Sequence, residues 1–414
     1  MSPAPDDAPQ DRIAPPGFLA APAPAAVLAA LPGARAVGGC VRDTLAGVAV
    51  HDIDIAAPLP PETIAARLRA AGLKVFETGL AHGTVTAVLQ QVPIEVTALR
   101  RDIATDGRHA EVAWTTDWRE DAARRDFRIN AMSCDAAGRL WDYFGGRADL
   151  AAGRVRFVGD PATRLAEDFL RALRFFRFWA RYGRGAPDRE ALAAIGAAVP
   201  GLVARIAAER VWMELKRLLA APDPTGALAL MAESGLLAAV LPEGAAPERL
   251  ERMIARGLPA DPLLRLAVLL PSGVATTPLA TRLKFSGEER ERLAVLRHTA
   301  QAPQPGAAQG YAFRAWRAEV RHNSRFVAPV EPLWVAEAEA GGEAGGESWA
   351  ALRERVAPGD PDPVFPVRGR DLLALGFPPG PELGNLLAEL RRRWVARDCE
   401  VSREALLAAL PPPP

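Results

Sequence analysis

GGCVRDTLAGVAVHDIDIA, Gly38 to Ala56, decides how the rest of the chain reads. Two glycines lead into a segment of helical pattern that carries Arg42 and Asp43. The chain then alternates Asp52, Ile53, Asp54, Ile55, the period of a half-buried strand. On a strand, side chains two apart share a face and lie about 6.6 Å apart. Asp52 and Asp54 are therefore predicted on one side, with Ile53 and Ile55 in the core. Two carboxylates so placed repel each other. Their oxygens suit a hard cation such as Mg²⁺, which binds through one or two carboxylates plus substrate phosphates. A two-metal site, with ions about 3.5–4 Å apart, serves phosphoryl or nucleotidyl transfer. VPIEVTAL reads as a neighbouring strand that buries Ile94 and Val96 and turns Glu95 the other way, a candidate third acid. Gly38 and Gly39 let a backbone approach phosphates, the helix N-terminus after them favours anions, and Arg42 follows one turn in. A lone DxD is commonly a solvated edge strand, and a lone glycine pair a tight turn. Side by side, with a strand on each flank, they point to a nucleotide site.

His51–Asp52 also has the HD start of a metal phosphohydrolase. The remaining histidines, His82, His109, His298 and His322, supply no second pair at helical ligand spacing.

The 414 residues allow two to four domains, and 49% hydrophobic with 24% charged residues is ordinary for a chain with a sizeable core. Basic and acidic residues number 50 each, so any surface for nucleic acid is local rather than global. Cys40, Cys134 and Cys399 form neither a CxxC pattern nor a disulfide framework, which predicts a reducing, cytoplasmic setting. The acidic, proline-rich start lacks the pattern of a signal peptide, and no apolar run reaches the length of a membrane span.

Residues 1–24 are rich in Pro and Ala and predict a disordered tail. Residues 25–150 mix short strands (ARAVGG, HDIDIA, VTAVLQ, VPIEVTAL) with a helix in PETIAARLRAAG, opened by Pro61 and closed by Gly72. VTAVLQ and QVPIEV suggest a hairpin. Beyond about 160 the pattern is helical, as in ATRLAEDFLRALRFFRFWARYG and AERVWMELKRLLA. AEAEAGGEAGGES reads as a flexible acidic loop. After it, VRGRDLLALGFPPGPELGNLLAELRRRWVARD gives two helices broken at FPPGP. The predicted class is α+β, a small mixed head followed by an all-helical remainder.

Four motifs occur in order: GGCVRDTLAG–HDIDIA, EVTALRRD, RRDFRINAM (124–132) and EDFLRALRFFRF (167–178). Together they resemble the bacterial class II CCA-adding tRNA nucleotidyltransferase and poly(A) polymerase family, from about residue 34 to the C-terminus. The resemblance implies a DNA-polymerase-β-like nucleotidyltransferase head (25–150), a base-reading helical neck (151–222), a helical body (223–340), and a linker with a tRNA-binding helical tail (341–414). It implies Asp52 and Asp54 as Mg²⁺ ligands, with Glu95 as a third acid of weaker role. Gly38, Gly39 and Arg42 would hold the triphosphate. Asp126 would accept a hydrogen bond from a ribose 2′-OH, supported by Arg125 and Asn130. The implied partners are tRNA, CTP and ATP, with neither DNA nor a membrane.

The same resemblance assigns base reading to Asp168 and Arg171, which sit i,i+3 on a predicted helix face, flanked by Glu167 and Arg174. The chemistry agrees. Cytosine and adenine each show an amine donor beside a ring-nitrogen acceptor; uracil and guanine show the reverse. An aspartate only accepts and an arginine only donates. The pair therefore fits C and A and leaves buried groups unpaired against U and G. Glu167 would hold Arg171. Between residues 164 and 184, six arginines face Glu167 and Asp168 alone, a local charge of +4 in a neutral chain. Phe175, Phe176, Phe178 and Trp179 are expected to pack the neck core.

The implied reaction is template-independent addition of C, C and A to the tRNA 3′ end. RRDIATDGRHAEVAWTTDWRED is expected to be a mobile loop that shifts specificity from C to A. The nearest alternative is a poly(A) polymerase. Two others are a non-catalytic RNA-binding protein on a degenerate head, and a nucleotidyltransferase acting on small molecules or proteins.

Overall fold

The computed structural model describes residues 7–80, 83–105, 110–299, 302–305, 311–341, 348–356, 364–397, 399–410 and 412. Ten strands occur among them: β1 Asp11–Arg12, β2 Arg35–Val37, β3 Asp54–Ala57, β4 Lys74–Gly79, β5 Thr84–Leu89, β6 Val92–Ala98, β7 Arg100–Thr105, β8 Ala110–Trp114, β9 Ser133–Cys134 and β10 Arg139–Trp141. Eight form one mixed sheet in the order β1-β10-β9-β2-β3-β6-β5-β4. Only β3 and β6 run parallel, with Asp54 opposite Glu95 and Ile55 opposite Val96. β3 is central, and its Ile55 and Ala57 are buried in a core with Ile64 and Leu68 of helix Pro61–Ala70 and Val27 and Leu31 of helix Pro22–Ala30.

The predicted hairpin is present. Leu89 pairs with Val92, and Gln90 and Gln91 both take positive φ, as a two-residue hairpin loop with the right twist requires. Gly72 closes helix Pro61–Ala70 at φ +81°. Three expectations differ from the structure. First, Asp52 precedes β3 rather than lying in it. β2 ends at Val37, where Gly38 turns the chain into helix Gly39–Leu45, so nothing on that side extends the ladder back to Asp52. Second, the start of the chain, read as a tail up to residue 24, is ordered from Asp7. β1 pairs with β10, Leu19 is buried, and Arg35 pairs with Asp7 while its guanidinium stacks on Trp118 and Trp141. Proline-rich composition hid a segment that gains its order from tertiary contacts. Third, the described part of the stretch read as a loop forms an antiparallel ribbon, β7 with β8, followed by helix Trp118–Ala123. Residues 106–109 lie outside the described residues, as do 342–347 of the acidic segment.

The chain divides into two compact units, Met1–Val240 and Leu241–Pro414. The expected boundaries at 150 and 222 therefore fall inside the first unit. For the boundary at 150 the physical reason is a ring cluster. Phe127, from RRDF, packs against Phe157, Phe175 and Phe178 with centroids 4.9, 6.2 and 5.3 Å away. Phe175, Phe176 and Phe178 are buried as expected, while Trp179 is half-buried. This cluster fastens helix Leu170–Tyr182 to the turn after helix Trp118–Ala123.

The regular elements among the described residues of the second unit are all helices. Helix Gly287–Leu296 opens with a capping box, Ser286 and Glu289. Helices Gly369–Ala374 and Pro381–Val395 flank the FPPGP break, and Leu372, Leu390 and Trp394 share a core with Leu406. No helix among the described residues is long and apolar enough to cross a membrane.

Candidate active site

A cleft of about 420 Å³ in the first unit is lined by Gly38, Gly39, Arg42, Asp54, Arg124, Arg125, Asp126, Asn130, Asp168, Leu170, Arg171, Arg174, Phe178 and Arg210. Residues from four separate stretches of sequence meet there. The space lies in the range of small-molecule sites, but its wall is unusually charged.

Gly38 sits at φ +71°, and a Cβ on it would lie 2.9 Å from Arg125 Nη1. Only glycine both takes that backbone and admits the guanidinium. Arg42 is 8% exposed. Its guanidinium donates to Asp43 at 2.9 Å and to Asn130 at 2.6 Å, and lies over the rings of Tyr182 and Phe178. Tyr182 in turn donates to Asp43. Arg42 is thus a fixed strut between the glycine turn and the neck helix.

Asp54 is half-buried at the start of β3. Burial pushes its carboxyl pKa up, and the Glu95 carboxylate opposite it adds to this; Arg125 opposes the rise and Asp52 contributes to it. No hydrogen bond or ion pair holds the side chains of Asp52, Asp54 or Glu95 among the described residues. Mutually repelling carboxylates that no ion pair among the described residues neutralises, with Arg125 near Asp54 offsetting only part of the repulsion, are the donor set a hard cation takes. The described residues also place no three His, Cys, Asp or Glu side chains as a ready cage. Mg²⁺ needs none, since one or two carboxylates and substrate phosphates suffice. The residues therefore fit the ion.

Further into the cleft the carboxylates are treated differently. Asp126 Oδ1 accepts from Phe127 N at 2.8 Å and Asn130 Nδ2 at 3.0 Å; Oδ2 accepts from Arg174 Nε at 2.8 Å and Nη2 at 2.5 Å. Burial alone would raise its pKa, but Arg174 and these donors hold it below the ordinary value. Four donors fill the roughly four lone-pair positions of a carboxylate. Asp126 has no acceptor capacity left for a ribose hydroxyl while Arg174 stays in place. Glu214, 4% exposed, pairs with Arg177 at 2.6 Å, Arg217 at 3.4 Å and Arg174 at 3.9 Å. Asp121 is held below its ordinary pKa by Arg125 and Arg124 despite burial, which orients both arginines.

Asp168 and Arg171 do not share a continuous helix. The helix ends at Glu167, Asp168 takes an extended backbone, and a new helix starts at Leu170. Asp168 Oδ1 caps Leu170 N at 3.0 Å and Oδ2 meets Arg210 Nη2 at 2.8 Å. The local bond from Asp168 to the new helix's N–H competes with helix continuation. Arg171 is held by Glu167, by the Arg164 carbonyl at 3.1 Å and by the Arg124 carbonyl at 3.2 Å. Among the described residues, two acceptor positions on Asp168, and the Nε–H and one Nη2–H of Arg171, have no protein partner. Asp168 and Arg171 thus keep the hydrogen-bonding capacity that Asp126 lacks.

The head of the chain, residues 34–156, matches the model of the poly A polymerase head domain, and residues 186–246 match the probable RNA and SrmB-binding site of polymerase A. A mitochondrial CCA tRNA nucleotidyltransferase 1 of Mus musculus is 35% identical over 391 residues, covering 90% of this chain and 85% of the relative. A CCA-adding enzyme of Levilactobacillus brevis is 30% identical over 90% of this chain and 92% of its own length. The chain belongs to the CCA-adding tRNA nucleotidyltransferase family. The crystal structure of Bacillus stearothermophilus CCA-adding enzyme in complex with CTP superposes with a TM-score of 0.71 at 28% identity, covering 96% of this chain and 97% of that one.

Within this family member, every residue predicted for the site except Asp52 and Glu95 lines the one cleft. Asp52 is exposed and lines a neighbouring cavity; Glu95 is exposed on β6 beside Asp54. Sequence reading missed Arg210, Glu214, Asp121 and Tyr182. Glu214 and Arg210 lie on helix Ala208–Leu219, whose only signal in the sequence was amphipathic period. A buried Glu on such a helix's apolar side was the available clue, since an unpaired acid does not stay there.

Proposed function

We propose that this chain completes the 3′ end of tRNA with C, C and A, taking CTP and ATP and releasing pyrophosphate. The observation that carries this is the convergence of the glycine turn, Asp54, the 124–130 turn and the Asp168–Arg171 pair on one cleft beside acids that make no ion pair among the described residues.

Asp52 and Asp54 would hold Mg²⁺, which when bound lowers the pKa of the attacking hydroxyl and neutralises the triphosphate. Gly38 and Gly39 keep the wall open for phosphates. Arg125, fixed by Asp121 and the Asn130 carbonyl, offers positive charge beside Asp54. Asp168 accepts the exocyclic amine of cytosine or adenine, and Arg171 donates to the adjacent ring nitrogen. Asp126 positions Arg174 at the cleft rather than meeting the ribose itself. The tRNA 3′-oxygen forms a bond to the α-phosphorus as the α–β bridge breaks. The hydroxyl proton passes to water. Most of the acceleration comes from positioning and charge.

The relatives' names favour CTP and ATP over ATP alone. Three free thiols, two of them buried, fit a reducing compartment, and a cytoplasmic location goes with this reading. The test is extension of a tRNA lacking its terminal CCA with CTP alone, ATP alone and both, with and without Mg²⁺. Two C additions with CTP and a final A with both are expected. A tract of A on any RNA, without C, overturns the reading.

A further inference from the structure

The two acids of the pair face different cavities. Asp54 lines the cleft described above, whereas Asp52 lines a second cavity of about 450 Å³ with Arg177, Arg181, Arg217, Tyr182 and Pro222. Arg42 and Phe178 line both, so they form a shared wall. From this geometry we infer that the second cavity seats the 3′-terminal phosphodiester of the RNA primer, with Arg181 and Arg217 as its ligands. The inference rests on the proposed nucleotidyl transfer and adds where the second substrate lies.

In-line displacement places the attacking and leaving oxygens on opposite sides of the phosphorus. With the nucleotide in the first cleft, the attacking hydroxyl must arrive from the far side of the acid pair. The cavity at Asp52, across the shared wall of Arg42 and Phe178 from the first cleft, is the candidate for that approach. Its charge suits a phosphodiester. Arg177 and Arg217 share the single carboxylate of Glu214, which Arg174 also approaches. Arg181 is exposed, and among the described residues its guanidinium meets no carboxylate; its near neighbour is the Tyr182 ring, 5.8 Å away. Positive charge thus exceeds what the protein itself compensates. Ala220, Ala221 and Pro222 supply a floor of small side chains that leaves room for a ribose.

The experiment is steady-state extension of a tRNA minihelix, with the 3′-terminal phosphodiester either natural or replaced by an uncharged methylphosphonate. Arg181→Ala and Arg217→Ala are each expected to raise KM for RNA by about tenfold, the scale of a lost charge-assisted hydrogen bond, and to leave KM for CTP within about twofold. The methylphosphonate should weaken the wild-type protein similarly and make little further difference to the variants. Arg184→Ala removes the same charge from outside the cavity and serves as control. Additive effects of variant and methylphosphonate, an equal loss in Arg184→Ala, or a matching rise in KM for CTP each overturn the assignment. Lack of nucleotide incorporation by the wild-type protein would instead refute the proposed function.

Discussion

The acids at the edge of β3 and the acids under the neck helix lie in the same unit and are built in opposite ways. Asp52, Asp54 and Glu95 repel one another with no ion pair to the protein among the described residues, and burial pushes the Asp54 carboxyl up although Arg125 lies near it. Asp126 is held by Arg174, Asp121 and Glu214 are each enclosed by two or more arginines, and the two aspartates are held below their ordinary pKa. The second set is complete without ligand and gives the cleft its shape. The first set is completed only by what binds. On the proposed function, unpaired charge marks the chemistry and paired charge marks the frame.

The largest effect that tests this contrast is at Asp54. Asp54→Ala should cut nucleotide incorporation by roughly a thousandfold while leaving the circular dichroism unchanged, as expected where charge stabilisation dominates. Retention of a tenth of the activity would remove Asp54 from the chemistry. Next is Glu214→Ala, which leaves three arginines around an empty buried position. It should cost about 3 kcal/mol of stability in urea unfolding, the scale of a broken buried ion pair. A loss below about 1 kcal/mol would make that network ornamental and blur the contrast.

Asp168→Ala should fall between frame and chemistry. The ratio of incorporation of C over U is expected to drop by about a hundredfold, with a smaller fall in the rate with CTP. An unchanged ratio would transfer base reading to other residues, Arg210 first among them. The smallest effect is in stability against pH, measured without divalent ions. Asp54 has a raised pKa in the folded state, so its ionisation above the ordinary 3.8 works against folding. Asp54→Asn should therefore raise Tm at pH 7, and the gain should vanish below pH 3.8. Asp126 has the opposite sign. Its stabilisation is present above 3.8 and is lost as pH falls through its lowered folded value, so Asp126→Asn should lower Tm at pH 7. Shifts of the same sign in both variants would erase the distinction drawn here.

Local pattern carried much of the fold. Alternation at 52–55, Pro61 and Gly72 around a helix, and apolar period beyond residue 160 each depend on near neighbours in the chain. What was illegible depended on distant partners. β1 exists because β10 is beside it, and Asp7 is held by Arg35, 28 residues away. The break at Asp168 was hidden because the flanking residues keep helical period on both sides, while the capping bond to Leu170 belongs to the turn itself. The strand boundary at Asp54 was hidden because β2 leaves the sheet at Gly38.

By itself the sequence singled out the groups proposed here for the chemistry: an acid pair after a glycine turn, and an aspartate with an arginine able to read C and A. Those choices follow from residue type, since only a carboxylate accepts without donating and only glycine admits that backbone. The tertiary structure alone decided which acids remain free and which are spent on arginines. That division is set by contacts such as Asp126 with Arg174 and Glu214 with Arg177, 48 and 37 residues apart, which no local period encodes.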